Sequence, residues 1–278
     1  MERLEAALEK ARQDRRVVRS VSDPAPEPTQ AAEIADFPPP VPDIWETVKS
    51  VTISTRIARK NRITALTHGK SAGPFDLLRS RALRTMAENK WTTLAITSPN
   101  RTCGKSTVCT NLALSLSRQS DLKIVVLDLD LRRPTLHRII SSNSKRNLHD
   151  VLRGNHPVDS AFVRVAPNLL FGLNATPAKD PSELLQSKLA LQKLKEIQKV
   201  FEPDLMLIDL PPMLVGDENV GFLPNVDCSL LVAAADSTTK NQLDTCEREL
   251  SELTNVLGIV LNKCRHPDPD TGSKYEYY

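Results

Sequence analysis

Gly104, Lys105, Ser106 and Thr107 follow one another directly, an order suited to binding a nucleoside triphosphate. Such binding needs backbone N–H groups turned inward and the positive end of a helix. In this reading Gly104 lets the main chain approach the phosphates, Lys105 neutralises the β- and γ-oxygens, and Ser106 offers an oxygen to Mg²⁺. The full pattern G-x-x-x-x-G-K-[ST] is not met, because Pro99 stands at its first glycine position. Carboxylates supply the other half of the chemistry. Asp128 and Asp130 are two residues apart, so both can point the same way at the end of a strand. Asp209 closes another apolar run, just before Pro211 and Pro212. A single such acid is as well explained by capping a turn or the helix that follows. Three of them beside Gly-Lys-Ser-Thr are better explained by convergence on one Mg-phosphate, and the expected cofactors are ATP and Mg²⁺.

The elements that must position these residues are legible as alternating patterns. Short apolar runs at 94–97, 123–128, 169–173, 205–209, 229–233 and 257–261 read as strands. Between them lie helical patterns, such as Val108, Leu112 and Leu116, and the stretch 181–200. Strands that are continuously apolar and separated by helices indicate a parallel sheet covered on both faces. The expected fold class is α/β: a P-loop NTPase with a doubly wound, mostly parallel sheet and helices on both faces. In an open sheet of that kind ligands sit beyond the carboxyl ends of the strands, where all three acids and the loop are placed.

Four regions follow from composition. Residues 1–18 read as an amphipathic helix, with Leu4, Ala7, Leu8 and Ala11 at helical spacing among charged residues. It is either a solvated charged helix or a partner-docking one. Residues 19–44 hold seven prolines, from Pro24 to Pro42, and read as a disordered, extended linker. Residues 45–264 are expected to form the nucleotide-binding domain, and 265–278 a mobile tail. The three tyrosines of the chain, Tyr275, Tyr277 and Tyr278, all sit in the final four positions.

Several classes are disfavoured. A net charge of +3 over 278 residues is too weak to argue for nucleic acid. The five cysteines contain no C-x-x-C pair and are odd in number, which speaks against a disulfide framework or zinc site and for reduced thiols in a cytosolic protein. No apolar run approaches the ~20 residues that span a bilayer, and the start lacks the apolar core of a signal peptide.

The carboxylate motifs resemble those of bacterial tyrosine kinases, which share the deviant P-loop fold of MinD and ParA ATPases. The likeness covers roughly residues 60–264. It rests on an ordered set: 75–81, 92–99, Cys103-Gly104-Lys105, 128–134, 180–185, 208–212 and 257–263. The opening dodecapeptide and the terminal tyrosines are similar to the separate cytoplasmic autokinases of capsule and exopolysaccharide operons. The resemblance implies that Lys105, Asp128 and Asp130 are catalytic, with Asp128 the base that accepts the tyrosine proton. It implies nucleotide contacts from Thr102, Cys103, Gly104, Lys105, Ser106, Thr107 and Asn262, the last toward adenine. Mg²⁺ would be held by Ser106, Asp130 and Asp209, and the phosphoacceptors would be Tyr275, Tyr277 and Tyr278 of a neighbouring subunit in a ring. Implied partners are the cytoplasmic segment of a membrane polysaccharide co-polymerase, further copies of the chain and a protein-tyrosine phosphatase. The implied location is cytoplasmic, at the inner membrane through that partner. Three positions depart from the family pattern. Thr102 stands where the loop carries glycine, Asn100 where ParA proteins carry a lysine, and Leu78 where the ring-forming motif begins with glutamate. Two other functions remain open: an ATP-dependent switch on the export machinery with little phosphotransfer, and a MinD/ParA-like positioning ATPase. The second leaves the tyrosine tail unexplained.

Overall fold

A computed structural model describes residues 43–66, 69–142 and 146–264. The expected helix at 1–18, nearly all of the linker and the tyrosine tail lie outside the described residues. In chain order the elements are α1 (Ile44–Thr47), α2 (Thr55–Lys60), α3 (Gly73–Asn89), β1 (Thr93–Thr97), α4 (Lys105–Leu116), β2 (Ile124–Asp128), α5 (Leu136–Ile140), α6 (Leu148–Leu152), β3 (Phe162–Ala166), β4 (Leu169–Gly172), α7 (Pro181–Gln186), α8 (Lys188–Phe201), β5 (Leu205–Asp209), α9 (Glu218–Phe222), β6 (Cys228–Ala234), α10 (Lys240–Leu253) and β7 (Asn255–Asn262).

The seven strands form one sheet in the order β3-β4-β2-β5-β1-β6-β7. Every neighbouring pair is parallel except β3 on β4. Side chains alternate across a strand, so each apolar run feeds two cores. Val125, Leu127, Met206 and Ile208 enter one, with helix residues such as Leu194, Ile197 and Leu250. Ile124, Val126, Leu205 and Leu207 enter the other, with Val108, Leu112 and Leu116 of α4. Every residue of β1, β2, β4, β5 and β6 is buried, which is why these strands read as continuous hydrophobic runs.

Two elements differ from the expectation. Strand β3 was absent from it, since Arg164 interrupts its apolar pattern and three of its five residues are partly exposed. Its outer edge is paired with the preceding chain: Val51 donates to the Arg164 carbonyl at 2.8 Å, and Arg164 donates to that of Lys49 at 2.9 Å. The stretch 181–200 is two helices, because Ser187 adopts an extended conformation (φ −73°, ψ 141°) and its hydroxyl accepts the N–H of Ala190, capping α8. At the other end of that helix the buried indole of Trp45 donates to the Phe201 carbonyl at 2.9 Å, fixing α1 to the domain.

The register places the chemistry. Asp128 and Asp209 are direct partners at the ends of β2 and β5, and Ile96 of β1 is the partner of Asp209 on its other side. The phosphate-binding sequence leaves β1 one residue later, so the loop and the acids emerge from three adjacent strands at the same end of the sheet.

Candidate nucleotide site

The loop after β1 ends at Gly104, which caps α4 with φ +93°. A Cβ there would stand 2.2 Å from Asn262 Nδ2, so only glycine fits. That amide instead donates to the Cys103 carbonyl at 2.8 Å, tying the end of β7 to the loop. Asn262, expected near the base, is therefore brought to the loop itself. Thr102 has φ +65°, a conformation that β-branched residues rarely take, at the position where the family pattern has glycine.

Lys105 opens α4 and is almost wholly buried. Its Nζ lies 2.8 Å from Asp130 Oδ2 and 3.1 Å from Asp209 Oδ1. Burial works against its charge, but the carboxylates of Asp209, Asp130 and Asp128 outweigh it and hold the ammonium above its ordinary value. Ser106 donates to Asp209 Oδ2 at 2.5 Å and accepts from the Thr135 hydroxyl at 2.9 Å. Thr107 is partly exposed, and its carbonyl accepts from Asn111.

The three acids have different surroundings. Asp130 lies beyond β2, pairs with Lys105 and accepts the Arg133 N–H at 3.1 Å. Asp209 is wholly buried. Burial raises its pKa, the Lys105 charge and the Ser106 hydroxyl oppose this, and the net displacement is upward. Asp128 is also wholly buried, with one oxygen accepting the Leu136 N–H at 3.2 Å and the other without a hydrogen-bond partner. Burial, then the charges of Asp209 and Asp130, push its carboxyl well above the usual range despite Lys105. A carboxyl displaced upward is a stronger base than an ordinary aspartate and is suited to taking a proton.

The hydroxyl of Ser106 and the carboxylates of Asp130 and Asp209 are hard oxygen donors of the kind Mg²⁺ takes. No cluster of three or more acidic, His or Cys side chains among the described residues forms a metal cage. Mg²⁺ is commonly held by one or two carboxylates together with phosphates and water.

Other residues build this end of the sheet without having been singled out in the sequence. Asn174 is fully buried, donates to the Asp128 carbonyl at 2.6 Å and accepts the His149 N–H at 2.8 Å. The Pro211 carbonyl accepts from Thr97 at 2.7 Å and from Asn219 at 2.8 Å, which fixes the chain leaving Asp209. Arg132 forms an ion pair with the buried carboxylate of Glu218. The run Arg132-Arg133-Pro134-Thr135 carried a hint of Thr135 and Arg132, but lone Asn and Glu residues far along the chain gave no local signal. Away from the site, Asp76 is engaged within its own chain. It accepts from Ser115 at 2.6 Å and from Arg118 at 3.1 Å, which joins α3 to α4. Arg84 on the same helix is exposed and pairs with Glu88.

A phosphate-type loop at a helix start, with acids from two adjacent parallel strands, defines a P-loop NTPase. A family model described as ParA, NUBPL iron-transfer P-loop NTPase, matches residues 91–278, and the chain belongs to that family. Its similarity within the superfamily is to bacterial tyrosine kinases. It is 30% identical over 230 residues to the putative tyrosine-protein kinase AmsA of Erwinia amylovora, covering 78% of this chain and 30% of that one. It is 29% identical over 233 residues to the tyrosine-protein kinase YwqD of Bacillus subtilis, covering 79% of this chain and 95% of that one. Among solved structures, the kinase domain of the Escherichia coli tyrosine kinase ETK superposes with a TM-score of 0.68 at 23% identity, covering 79% of this chain and 90% of that one. Some relatives are much longer, and the chain spans between 23% and 30% of three of them. No helix among the described residues is long and apolar enough to cross a membrane.

Proposed function

We propose that this chain is an ATP-dependent protein-tyrosine autokinase that regulates polymerisation and export of a capsular or extracellular polysaccharide. The observation that carries the reading is the meeting of Lys105, Ser106, Asp128, Asp130 and Asp209 at the ends of three adjacent strands. The names of the similar proteins support it.

In this mechanism Lys105 and the N–H groups at the start of α4 hold the β- and γ-phosphates. Ser106, Asp130 and Asp209 would hold Mg²⁺, which would supply positive charge to offset that of the phosphates. Thr102, Cys103, Gly104 and Thr107 line the phosphates, and Asn262, bonded to the Cys103 carbonyl, supports the loop and contacts the nucleotide. The phenolic oxygen of Tyr275, Tyr277 or Tyr278 of a neighbouring copy bonds to the γ-phosphorus as the bond to the β–γ bridging oxygen breaks. ADP leaves with that electron pair, and the phenolic proton passes to Asp128. Each phosphotyrosine adds about −1.5 to −2 charges, enough to repel a neighbouring subunit and loosen an assembly. The partner is the cytoplasmic segment of a membrane co-polymerase, which would hold the protein at the inner membrane, and a tyrosine phosphatase would reset the tail. Because Asp76 is already engaged with Ser115 and Arg118, a ring would have to use other contacts than an acid at this place.

The test is incubation of the purified protein with Mg-ATP, with and without the partner's segment, followed by mapping of phosphotyrosine by mass spectrometry. The expected result is phosphate on the last four residues that is lost in Lys105→Met. ATP binding with no phosphotyrosine under either condition would favour a second reading, an ATP-dependent switch. The left-handed backbone at Thr102 supports that alternative, since strain in the loop bears directly on turnover.

A further inference from the structure

A small cleft opens beside Asp130, between the loop that leaves β1 and the segments that leave β2 and β5. Its lining includes Arg101, Arg132, Arg133, Asp130, Pro212 and Glu218. Glu218 begins α9, and its side chain is only 2% exposed. It lies against Gly216, where a Cβ would stand 2.0 Å from the carboxylate, so glycine there leaves room for the acid. Arg132 is committed to this buried acid. The pair joins the chain leaving β2 to the chain leaving β5 and lines the cleft.

The remaining charges are unequal. Both acids of the cleft are neutralised from within, Asp130 by Lys105 and Glu218 by Arg132. Arg101 and Arg133 are exposed at the rim, and neither makes an ion pair among the described residues. The main chain of Arg133 is held beside the acid, its N–H bound to Asp130 Oδ1 at 3.1 Å. Two uncommitted guanidinium groups therefore flank an acid whose other oxygen faces Lys105.

We propose that Arg101 and Arg133 are specificity-determining residues that dock an acidic side chain next to the acceptor tyrosine. The inference rests on the kinase reading above and names the substrate class for that site: tyrosine peptides with a flanking carboxylate. Neighbouring residues of an extended peptide are ~3.5 Å apart. An acceptor hydroxyl at the γ-phosphate, beside Lys105 and Asp130, thus brings the residues flanking the tyrosine within reach of the long arginine side chains at this rim. The chain's own tail has that composition, with Glu276 between Tyr275 and Tyr277. Guanidinium groups suit the task because they bind carboxylates in a planar, two-bond geometry.

The experiment uses the full chain with Tyr275, Tyr277 and Tyr278 changed to Phe, so that added peptide is the acceptor. Peptides carry one tyrosine preceded by Glu, Gln or Lys. Phosphorylation gives KM for each peptide and for ATP, and fluorescence anisotropy in the presence of Mg-ADP gives peptide affinity directly. The expected result is a KM about tenfold lower for the Glu peptide than for the Gln peptide, with the same order in anisotropy. Arg101→Ala and Arg133→Ala should each remove about a threefold share of that preference, and Arg133→Glu should shift it toward the Lys peptide. Equal values for the three peptides overturn the proposal. So does a rise in the KM for ATP in place of that for peptide, since the two arginines would then serve the nucleotide. Charge-selective binding without any phosphorylation would support the docking site while removing the kinase reading.

Discussion

Asp128 and Asp209 are register partners across β2 and β5, so two buried carboxylates end adjacent strands side by side. Asp130 stands just beyond. Lys105, almost as buried, is the cation placed to neutralise all three, with direct contacts to Asp130 and Asp209. Two acids this close and this far from water cannot both ionise freely, and each has its pKa displaced upward. The arrangement is costly for folding, and in the proposed kinase it suits a site that binds Mg²⁺ and takes up a proton.

A carboxyl whose folded pKa lies above its unfolded value holds its proton longer in the folded state. Stability contributed by Asp128 and Asp209 is therefore fully present below the ordinary carboxylate value of 3.8 and is lost as pH rises from there through their displaced values. Lys105→Met removes the opposing charge. At neutral pH it should cost about 3–5 kcal/mol, the penalty for leaving buried charge unpaired. The deficit relative to the parent should shrink as pH is lowered toward 5. Thermal melts of both proteins across that range measure it, and a deficit independent of pH would show that Lys105 does not stabilise these acids.

Asp128→Asn separates the chemistry from the fold. The substitution keeps the shape and removes one of two neighbouring buried charges, so the melting temperature should hold or rise. If Asp128 takes the phenolic proton, phosphotransfer should fall about 10²- to 10⁴-fold. Nucleotide affinity, read by fluorescent ATP analogue, should change little, because Asp128 does not contact Lys105 or Ser106 by hydrogen bond. Retention of more than a tenth of the parent rate would reassign the base.

Thr102→Gly should stabilise the protein. Thr102 has φ +65°. Backbone strain of that kind costs about 1–3 kcal/mol, and glycine costs roughly 0.5–1 kcal/mol in unfolded-state entropy. The balance is a gain of about 1 kcal/mol, or roughly 2–4 °C in melting temperature for a domain this size. If the loop strain limits turnover, the variant should also hydrolyse or transfer phosphate faster. A lower melting temperature would mean that threonine is held there by contacts worth more than the strain.

The alternation of apolar runs gave the parallel sheet, because strands buried on both faces leave no polar phase to confuse with a helix. The loop and the three acids were legible for a related reason: each is a polar residue directly after such a run, at a strand end. What stayed hidden depends on long-range placement. Asn174 and Glu218 reach Asp128 and Arg132 from 46 and 86 residues away. Arg164 disguised β3, whose pairing with residues 49–51 depends on a segment more than a hundred positions earlier. Ser187 lies inside a helical pattern, and only its capping bond to Ala190 marks the break. Thr102 was visible as a departure from a pattern, but its positive φ is a property of the folded loop.

The contact between Gly104 and Asn262 gives a double-mutant cycle. Gly104→Ala adds a methyl group 2.2 Å from Asn262 Nδ2 in a residue with φ +93°. It should therefore displace that amide, break its bond to the Cys103 carbonyl and strain the start of α4 together. Nucleotide affinity should fall at least tenfold and stability by about 1–3 kcal/mol. Asn262→Ala alone loses one hydrogen bond and should cost about 1 kcal/mol. In the double variant the steric part is gone and the backbone strain is not. Its loss of stability should thus be smaller than the sum of the two, by roughly 0.5–2 kcal/mol, while nucleotide binding stays weak. Strict additivity in thermal or urea melts would mean that the side chain of Asn262 and the glycine do not share this space. Recovery of binding in the double variant would place the whole defect in the clash rather than in the conformation of the loop.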